Sequence, residues 1–380
     1  MKKNILKIAV VGSRNIPADY GGVETATEGL YTKLAEKGHK ITFYGRNQNN
    51  TFEKTEYKGV KVINLPTINM VGWGTCYHCF ISSIFAAFSD AEIIHYHAQG
   101  PAIFSLIPKS FSPKKKRVFT CHGIDWQRDK WQGIAKKAIK IGEVNSAKLT
   151  DARIMVSNGL MQRYNEVYGV NCFRIPNGVN IPKKTELKIL NEKFKLEKNK
   201  YITFVGRLVP EKAIEILINA FKDLNTDIKL VISGDSPETP EYVKLLKNLA
   251  KDDKRIIFTS YLKGRELAEV YSNALAYISP SRLEGNPLAG LEAMSYELPV
   301  VLSDIQPHDE MLSFDRAAGI SFAANNTEAC KNALSKLLSL NQEELIIMGQ
   351  KSKEIVKNNF SWDKIADVTE KVYFEISGNR

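Results

Sequence analysis

Two carboxylates flank a proline turn in Glu284-Gly285-Asn286-Pro287-Leu288-Ala289-Gly290-Leu291-Glu292-Ala293-Met294. The apolar run Tyr277-Ile278-Ser279 just before it reads as a buried strand, and the residues after Pro287 read as a helix. Glu284 then lies in the loop, while Glu292 sits two turns further on. Pro287 suits a first helical turn, where its missing N–H is no loss, and the backbone N–H groups near Leu288 and Ala289 lack helical acceptors. A helix start of this kind takes an anion, and carboxylates accept hydrogen bonds from hydroxyls. A polyhydroxylated molecule with phosphate in its middle satisfies all three features. A nucleotide sugar is one.

Three other segments carry chemistry. Gly206-Arg207-Leu208-Val209-Pro210-Glu211-Lys212 sets two cations just after a strand. Arginine grips phosphate bidentately and lysine approaches it as a point charge, so together they suit a diphosphate. Gly12-Ser13-Arg14-Asn15-Ile16-Pro17-Ala18-Asp19-Tyr20-Gly21-Gly22-Val23-Glu24 is a long loop whose Gly21-Gly22 pair opens a helix, letting backbone amides approach negative charge. It lacks the closely spaced glycines of the dinucleotide fingerprint. In Val118-Phe119-Thr120-Cys121-His122-Gly123-Ile124-Asp125-Trp126, His122 follows a strand on which Cys121 points the other way, which argues against a Cys/His dyad. His95 and His97 share a strand face but lack an obvious third ligand, and Cys76/Cys79 lack a second pair, so metal binding is not expected.

The run Pro280-Ser281-Arg282-Leu283-Glu284 through Met294, followed by Leu298-Pro299-Val300-Val301, resembles the signature of the retaining family 4 glycosyltransferases. Pro17-Ala18-Asp19-Tyr20-Gly21-Gly22-Val23-Glu24 is similar to the glycine loop of bacterial surface-polysaccharide sugar transferases, rhamnosyltransferase-like members included. Gly206-Arg207-Leu208 with Lys212, Pro176-Asn177-Gly178 and Ser233-Gly234-Asp235 match further family segments. The resemblance implies an α/β protein of the GT-B type, with two Rossmann-like domains facing a central cleft. It also implies roles. Glu284 holds sugar hydroxyls and His122 faces the donor sugar, the two catalytic candidates. Gly21, Gly22, Arg207, Lys212, Leu288 and Glu292 bind the donor, with Glu292 on the ribose, and Asp125 lies toward the acceptor. No bound metal and no cofactor are implied, because protein cations neutralise the departing diphosphate. Glu297 departs from the glycine many relatives carry there, and Asn286 occupies a position that varies with donor type, which leaves the sugar open.

Positioning these residues requires two doubly wound sheets. The expected elements are strands at 7–12, 40–44, 60–65, 92–97 and 117–121 with a helix at 24–37, then strands at 201–206, 229–234, 256–259 and 275–279 with helices at 213–222 and 240–251. The polar stretch from Gly178 to Lys200 reads as a linker. Domains are thus expected at 1–180 and 181–358, with a terminal helix at 359–380 that, in the resembled family, returns to the first domain.

The bulk composition agrees with a globular protein. A chain of 380 residues with 43% apolar and 25% charged residues has room for two or three cores and gives no sign of disorder. The short apolar run after Met1-Lys2-Lys3 reads as a first strand rather than a secretory leader. Val71 to Phe88 is broken by Gly72, Gly74 and His78 and reads as a buried or membrane-contacting helix. Five cysteines form no disulfide framework, which suits a reducing compartment, so a cytoplasmic protein is expected. The net charge of +11 gathers at Lys109, Lys114, Lys115, Lys116 and Arg117, and at Arg128, Lys130, Lys136, Lys137 and Lys140. Such clusters suit nucleic acid, anionic lipid headgroups on the inner face of a membrane, or phosphorylated substrates. No nucleic-acid motif accompanies them. The expected partners are a nucleoside diphosphate sugar and a glycan or lipid-linked acceptor. A GT-B nucleotide-sugar epimerase or phosphorylase, or a non-catalytic basic protein that binds membrane or nucleic acid, are the alternatives.

Overall fold

The computed structural model describes residues 4–19, 21–46, 51–68, 73–127 and 132–378; Tyr20, Val71, Gly72, Arg128 and Lys130 lie outside them. The chain divides into two units, Met1–Gly178 with Trp362–Arg380, and Val179–Ser361.

The first unit is built on an eight-stranded sheet: β1 (Lys7–Val11), β2 (Lys40–Gly45), β3 (Glu53–Tyr57), β4 (Val60–Asn64), β5 (Ile93–His97), β6 (Lys116–Cys121), β7 (Ala152–Met155) and β8 (Phe173–Arg174), in the order β3-β4-β2-β1-β5-β6-β7-β8. β1 and β5 are buried along nearly their whole length, as parallel strands covered on both faces must be. β3, which the sequence reading does not anticipate, pairs antiparallel with β4 at the edge. Its residues are nearly all exposed, so it carries no apolar signal. A two-residue turn with positive φ at Lys58 and Gly59 sets its register. The helices are α1 (Gly22–Glu36), α2 (Trp73–Phe88), α3 (Gln99–Ala102), α4 (Leu106–Phe111), α5 (Gly133–Lys148) and α6 (Asn158–Tyr168). The C-terminal helix Trp362–Ser377 packs on α1, tied by Lys37 to Asp367 and Glu370 and by His39 Nε2 to Glu370 at 2.8 Å.

In the second unit β9 (Tyr201–Val205), β10 (Lys229–Ser233), β11 (Ile256–Ser260), β12 (Ala276–Ser279), β13 (Val300–Ser303) and β14 (Gly319–Phe322) form a parallel sheet ordered β11-β10-β9-β12-β13-β14. Its helices are α7 (Ile189–Phe194), α8 (Ile214–Lys222), α9 (Pro240–Ala250), α10 (Gly264–Asn273), α11 (Leu288–Ser295), α12 (Gln306–Leu312), α13 (Thr327–Ser339) and α14 (Gln342–Asn359). Successive β9 residues feed opposite cores. Ile202 and Phe204 pack with Leu217 and Leu334, while Tyr201 packs with Leu291 and Met294. Strand order reverses between β9 and β12, which opens a crevice beyond their carboxyl ends, the usual ligand position in such sheets.

Two expectations need correction. The stretch from Val179 to Lys200 is part of the second unit rather than a linker: Leu190 and Leu196 are fully buried, and the buried Glu269 carboxylate accepts the Lys188 and Leu190 amides at the start of α7, each at 3.1 Å. Two leucines among many charges gave too weak a signal to read. The helix expected from Ala213 starts at Ile214, because Ala213 adopts left-handed backbone at its N-cap.

Candidate functional site

In the second unit, the loops after β9 and β12 meet across the switch point. The Arg282 amide donates to the Glu211 carbonyl at 2.8 Å, and its guanidinium reaches the Pro210 carbonyl at 2.9 Å and Glu215 at 2.5 Å. These bonds bring Lys212 against Glu284, and the two form a hydrogen-bonded ion pair. Ser281 Oγ donates to the same carboxylate at 2.8 Å. Burial pushes the Glu284 carboxyl up, but Lys212 and the Ser281 hydroxyl outweigh it, so the net shift is downward and Glu284 is held ionised. Below it, Ser303 Oγ donates to the Ser281 carbonyl at 2.6 Å and lies 3.1 Å from His308 Nδ1. Burial lowers His308 to about 4, leaving it neutral.

Arg207 is partly exposed on the same loop, its guanidinium 3.8 Å from Glu238. A Cβ on Gly234, whose φ is +151, would collide with the Gly206 carbonyl, so the β9 and β10 loops can close on each other only with glycine there. The helix α11 starts at Leu288 with Pro287 as its N-cap residue and no capping side chain. The Gly290 and Leu291 amides both turn back to the Pro287 carbonyl. Glu292 sits one turn into this helix, half-buried, and its Oε2 accepts from Tyr271 Oη at 3.2 Å. Burial raises its carboxyl to about 7, with the Tyr271 hydroxyl pulling the other way. An acid of this kind has capacity left for a ligand's hydroxyls.

In the first unit, Gly21 is the N-cap of α1 with φ 111 and no side-chain cap, and a Cβ there would strike the Glu24 carboxylate. Gly22 is exposed beside it. Glu28 anchors the preceding loop by accepting the Ala18 amide at 2.7 Å. Burial raises the Glu24 carboxyl, while Arg14, 3.7 Å away, opposes this. His122 is half-buried at the end of β6, with Nε2 3.0 Å from His97 Nδ1. From there the contact runs one step inward, His97 Nε2 lying 2.6 Å from Tyr31 Oη; beside it, Tyr373 Oη lies 2.6 Å from His95 Nδ1 and His95 Nε2 lies 2.7 Å from Thr120 Oγ1. The His95 and His97 nitrogens are thus occupied by protein groups. Burial drives both histidines down, His95 to about 3, so both are neutral. Cys121 is buried, with its thiol directed at the Gly123 carbonyl. Asp125 is engaged with Gln99, accepting its amide at 3.3 Å while its own amide donates to Gln99 Oε1 at 3.1 Å.

In the second unit Arg207, Lys212, Glu284, Leu288 and Glu292 lie on the loops and helix start that follow β9 and β12; in the first, Gly21 and Gly22 open α1, while His122 and Asp125 follow β6. The sequence reading passed over Ser281 and Arg282, which lie inside the motif it singled out, and Tyr271, His308, Tyr31 and Tyr373, for which no local pattern exists.

Comparison with known proteins agrees with this architecture. Residues 20–182 match the family described as Glycosyltransferase Family 4, and residues 186–370 match Glycosyl transferases group 1. An uncharacterized glycosyltransferase of Methanocaldococcus jannaschii is 27% identical over 366 residues, covering 94% of this chain and 95% of that protein. The UDP-Gal:alpha-D-GlcNAc-diphosphoundecaprenol alpha-1,3-galactosyltransferase of Escherichia coli is 26% identical over 310 residues, 76% of each. The structure of sucrose-phosphate synthase from Thermosynechococcus elongatus superposes with a TM-score of 0.83 at 19% identity, covering 99% of this chain and 100% of that one. With a family 4 domain followed by a group 1 domain on two Rossmann-like sheets, the chain belongs to the glycosyltransferases of the GT-B fold.

Proposed function

We propose that this glycosyltransferase retains anomeric configuration while moving a hexose from a nucleoside diphosphate sugar to a hydroxyl of a lipid-linked or polysaccharide acceptor in cell-surface glycan assembly. The observation that carries this reading is the convergence of Lys212, Arg207, Glu284 and the uncapped start of α11 at one switch point. In this reading Arg207, Lys212, the amides near Leu288 and the Gly21-Gly22 loop compensate the charge of the departing diphosphate, without a metal. Glu284 and His122 hold sugar hydroxyls and Glu292 holds the ribose. The acceptor hydroxyl attacks the anomeric carbon as the bond to the diphosphate breaks, and the departing phosphate oxygen takes the hydroxyl proton. Asp125, engaged with Gln99, shapes the acceptor side rather than contacting the reacting atoms. A lipid-linked acceptor is supported by the Escherichia coli relative, whose own substrate is a diphosphoundecaprenol-linked sugar. The working location in this reading is the cytoplasm, against the inner face of the membrane.

The test is to incubate the purified protein with nucleoside diphosphate sugars and a polyprenyl-diphosphate-linked sugar, and to read the product's anomeric configuration by NMR. Transfer with the donor's configuration preserved is expected. An inverted product, acceptor-independent epimerisation, or turnover only with orthophosphate would overturn the reading.

A further inference from the structure

The helix α2, Trp-Gly-Thr-Cys-Tyr-His-Cys-Phe-Ile-Ser-Ser-Ile-Phe-Ala-Ala-Phe, contains no aspartate, glutamate, lysine or arginine. An ordinary surface helix is polar on its outer face. Here the inner face buries Cys79, Ser82, Ser83, Ala86 and Ala87, while Tyr77, Phe80, Phe85 and Phe88 stand exposed on the outside. Neighbouring elements extend the patch. Phe88, 69% exposed, lies 6.2 Å from the 67%-exposed Phe111 of α4, and Phe85 lies 6.3 Å from Phe52. Single exposed apolar residues need no explanation, but a contiguous aromatic surface on an uncharged helix marks an interaction face.

The charges around it indicate what it meets. Of the chain's 53 basic and 42 acidic residues, Val179–Ser361 holds 25 of each, so the whole excess of 11 lies in the first unit. Three of those lysines border the patch. Lys109 lies in the last turn of α4, Lys114 is exposed in the following turn, and Lys115 donates to the Ala86 and Ser89 carbonyls at the end of α2. Two copies meeting through this face would bring like-charged rims together. A surface of anionic headgroups over acyl chains complements both the aromatic centre and the lysine rim. No described helix is long and apolar enough to cross a membrane, so the contact is along the surface.

We propose that the exposed face of α2, with Phe111 and the Lys109/Lys114 rim, docks the first unit on an anionic lipid bilayer. The proposal deepens the lipid-linked reading of the acceptor, since it holds the enzyme where such an acceptor lies. The full chain is sedimented with phosphatidylglycerol-rich vesicles and with phosphatidylcholine vesicles, at low and high salt. Wild type is expected on the anionic vesicles, weakened by salt. Phe80→Ser with Phe88→Ser should bind roughly tenfold or more weakly, and Lys109→Glu with Lys114→Glu should lose the preference for anionic lipid. Both variants alter exposed residues, and circular dichroism checks their fold. Equal vesicle binding by wild type and both variants would overturn the proposal, as would a vesicle-indifferent dimer that the phenylalanine variant dissociates. Stabilisation by a nucleotide sugar is measured in the same samples without lipid. Its absence would sink the transferase reading and leave the vesicle result standing on its own.

Discussion

Lys212 and Glu284, assigned by sequence to the phosphate and the sugar of one ligand, are bonded to each other. The pair keeps an otherwise buried carboxylate ionised and pre-sets both groups at the switch point. Under the proposed roles, a donor that engages both groups has to share or open this contact.

Removing one partner separates stability from function. Lys212→Ala strands the Glu284 carboxylate and should cost about 2 kcal/mol, less than a fully buried pair because Lys212 retains some exposure. Wild-type Glu284 has a depressed value, so its contribution is present above its ordinary 4.5 and is lost as pH falls through its lower folded value. In Lys212→Ala that acid-side loss should vanish. Lys212→Met combined with Glu284→Gln should regain most of the stability yet none of the transfer activity. Urea titrations at several pH values check the first point and turnover the second; a double variant with wild-type turnover would remove both residues from the site.

Glu292 works in the opposite sense. Its folded value is raised to about 7, so the protonated form is the more stable one in the folded protein. That stability is present below the ordinary 4.5 and is lost as pH rises through about 7. Ribose hydroxyls donating to the carboxylate would favour its ionised form. Nucleotide-sugar affinity should then rise across about pH 5.5 to 7.5, up to tenfold per unit below the carboxyl's own value, and level off above it. Glu292→Gln should flatten this profile. Calorimetric titration across that range checks it, and a flat wild-type profile would take Glu292 off the ribose.

His122 Nε2 meets His97 Nδ1, and the other nitrogen of that neutral ring meets Tyr31 Oη. Each hydroxyl has a single proton, so the donor direction at one end constrains the ring nitrogen that is protonated at the other. Tyr31→Phe should disturb the His122 tautomer, seen in imidazole nitrogen shifts, and reduce kcat about five- to tenfold, as loss of one hydrogen bond worth ~1 kcal/mol implies. His122→Ala should cost more. Unchanged nitrogen shifts in Tyr31→Phe would mean these contacts do not position His122.

Charge compensation by Arg207, Lys212 and the α11 amides predicts turnover that survives a strong chelator. Full loss on chelation, restored by a divalent ion, would assign that task to a metal.

Much of the fold is legible because buried parallel strands such as β1, β5 and β9 are short apolar runs bounded by glycine or polar residues. The segment from β12 to α11 is legible for a further reason: strand, turn and helix start are local events written within about twenty residues. β3 is hidden because it is an exposed edge strand, and α7 because charged neighbours surround its buried leucine. The contacts that finish the site lie far apart in the chain, with Lys212 and Glu284 separated by 72 positions and His95 and Tyr373 by 278. Only the topology brings them together. Glu297 is a mixed case: its departure from glycine was visible, and the structure shows it in left-handed backbone at φ 63, paired with Lys184 and Lys353.

The most direct test of the account is thermal stabilisation by a panel of uridine, guanosine, thymidine and adenosine diphosphate sugars, compared between wild type and Lys212→Ala. A donor at about 100 times its dissociation constant adds roughly 2.7 kcal/mol, well above the resolution of a melting curve. The account predicts that at least one donor stabilises wild type and that the shift disappears in Lys212→Ala, measured from the variant's own baseline. Indifference to every donor, or an equal shift in the variant, would contradict it.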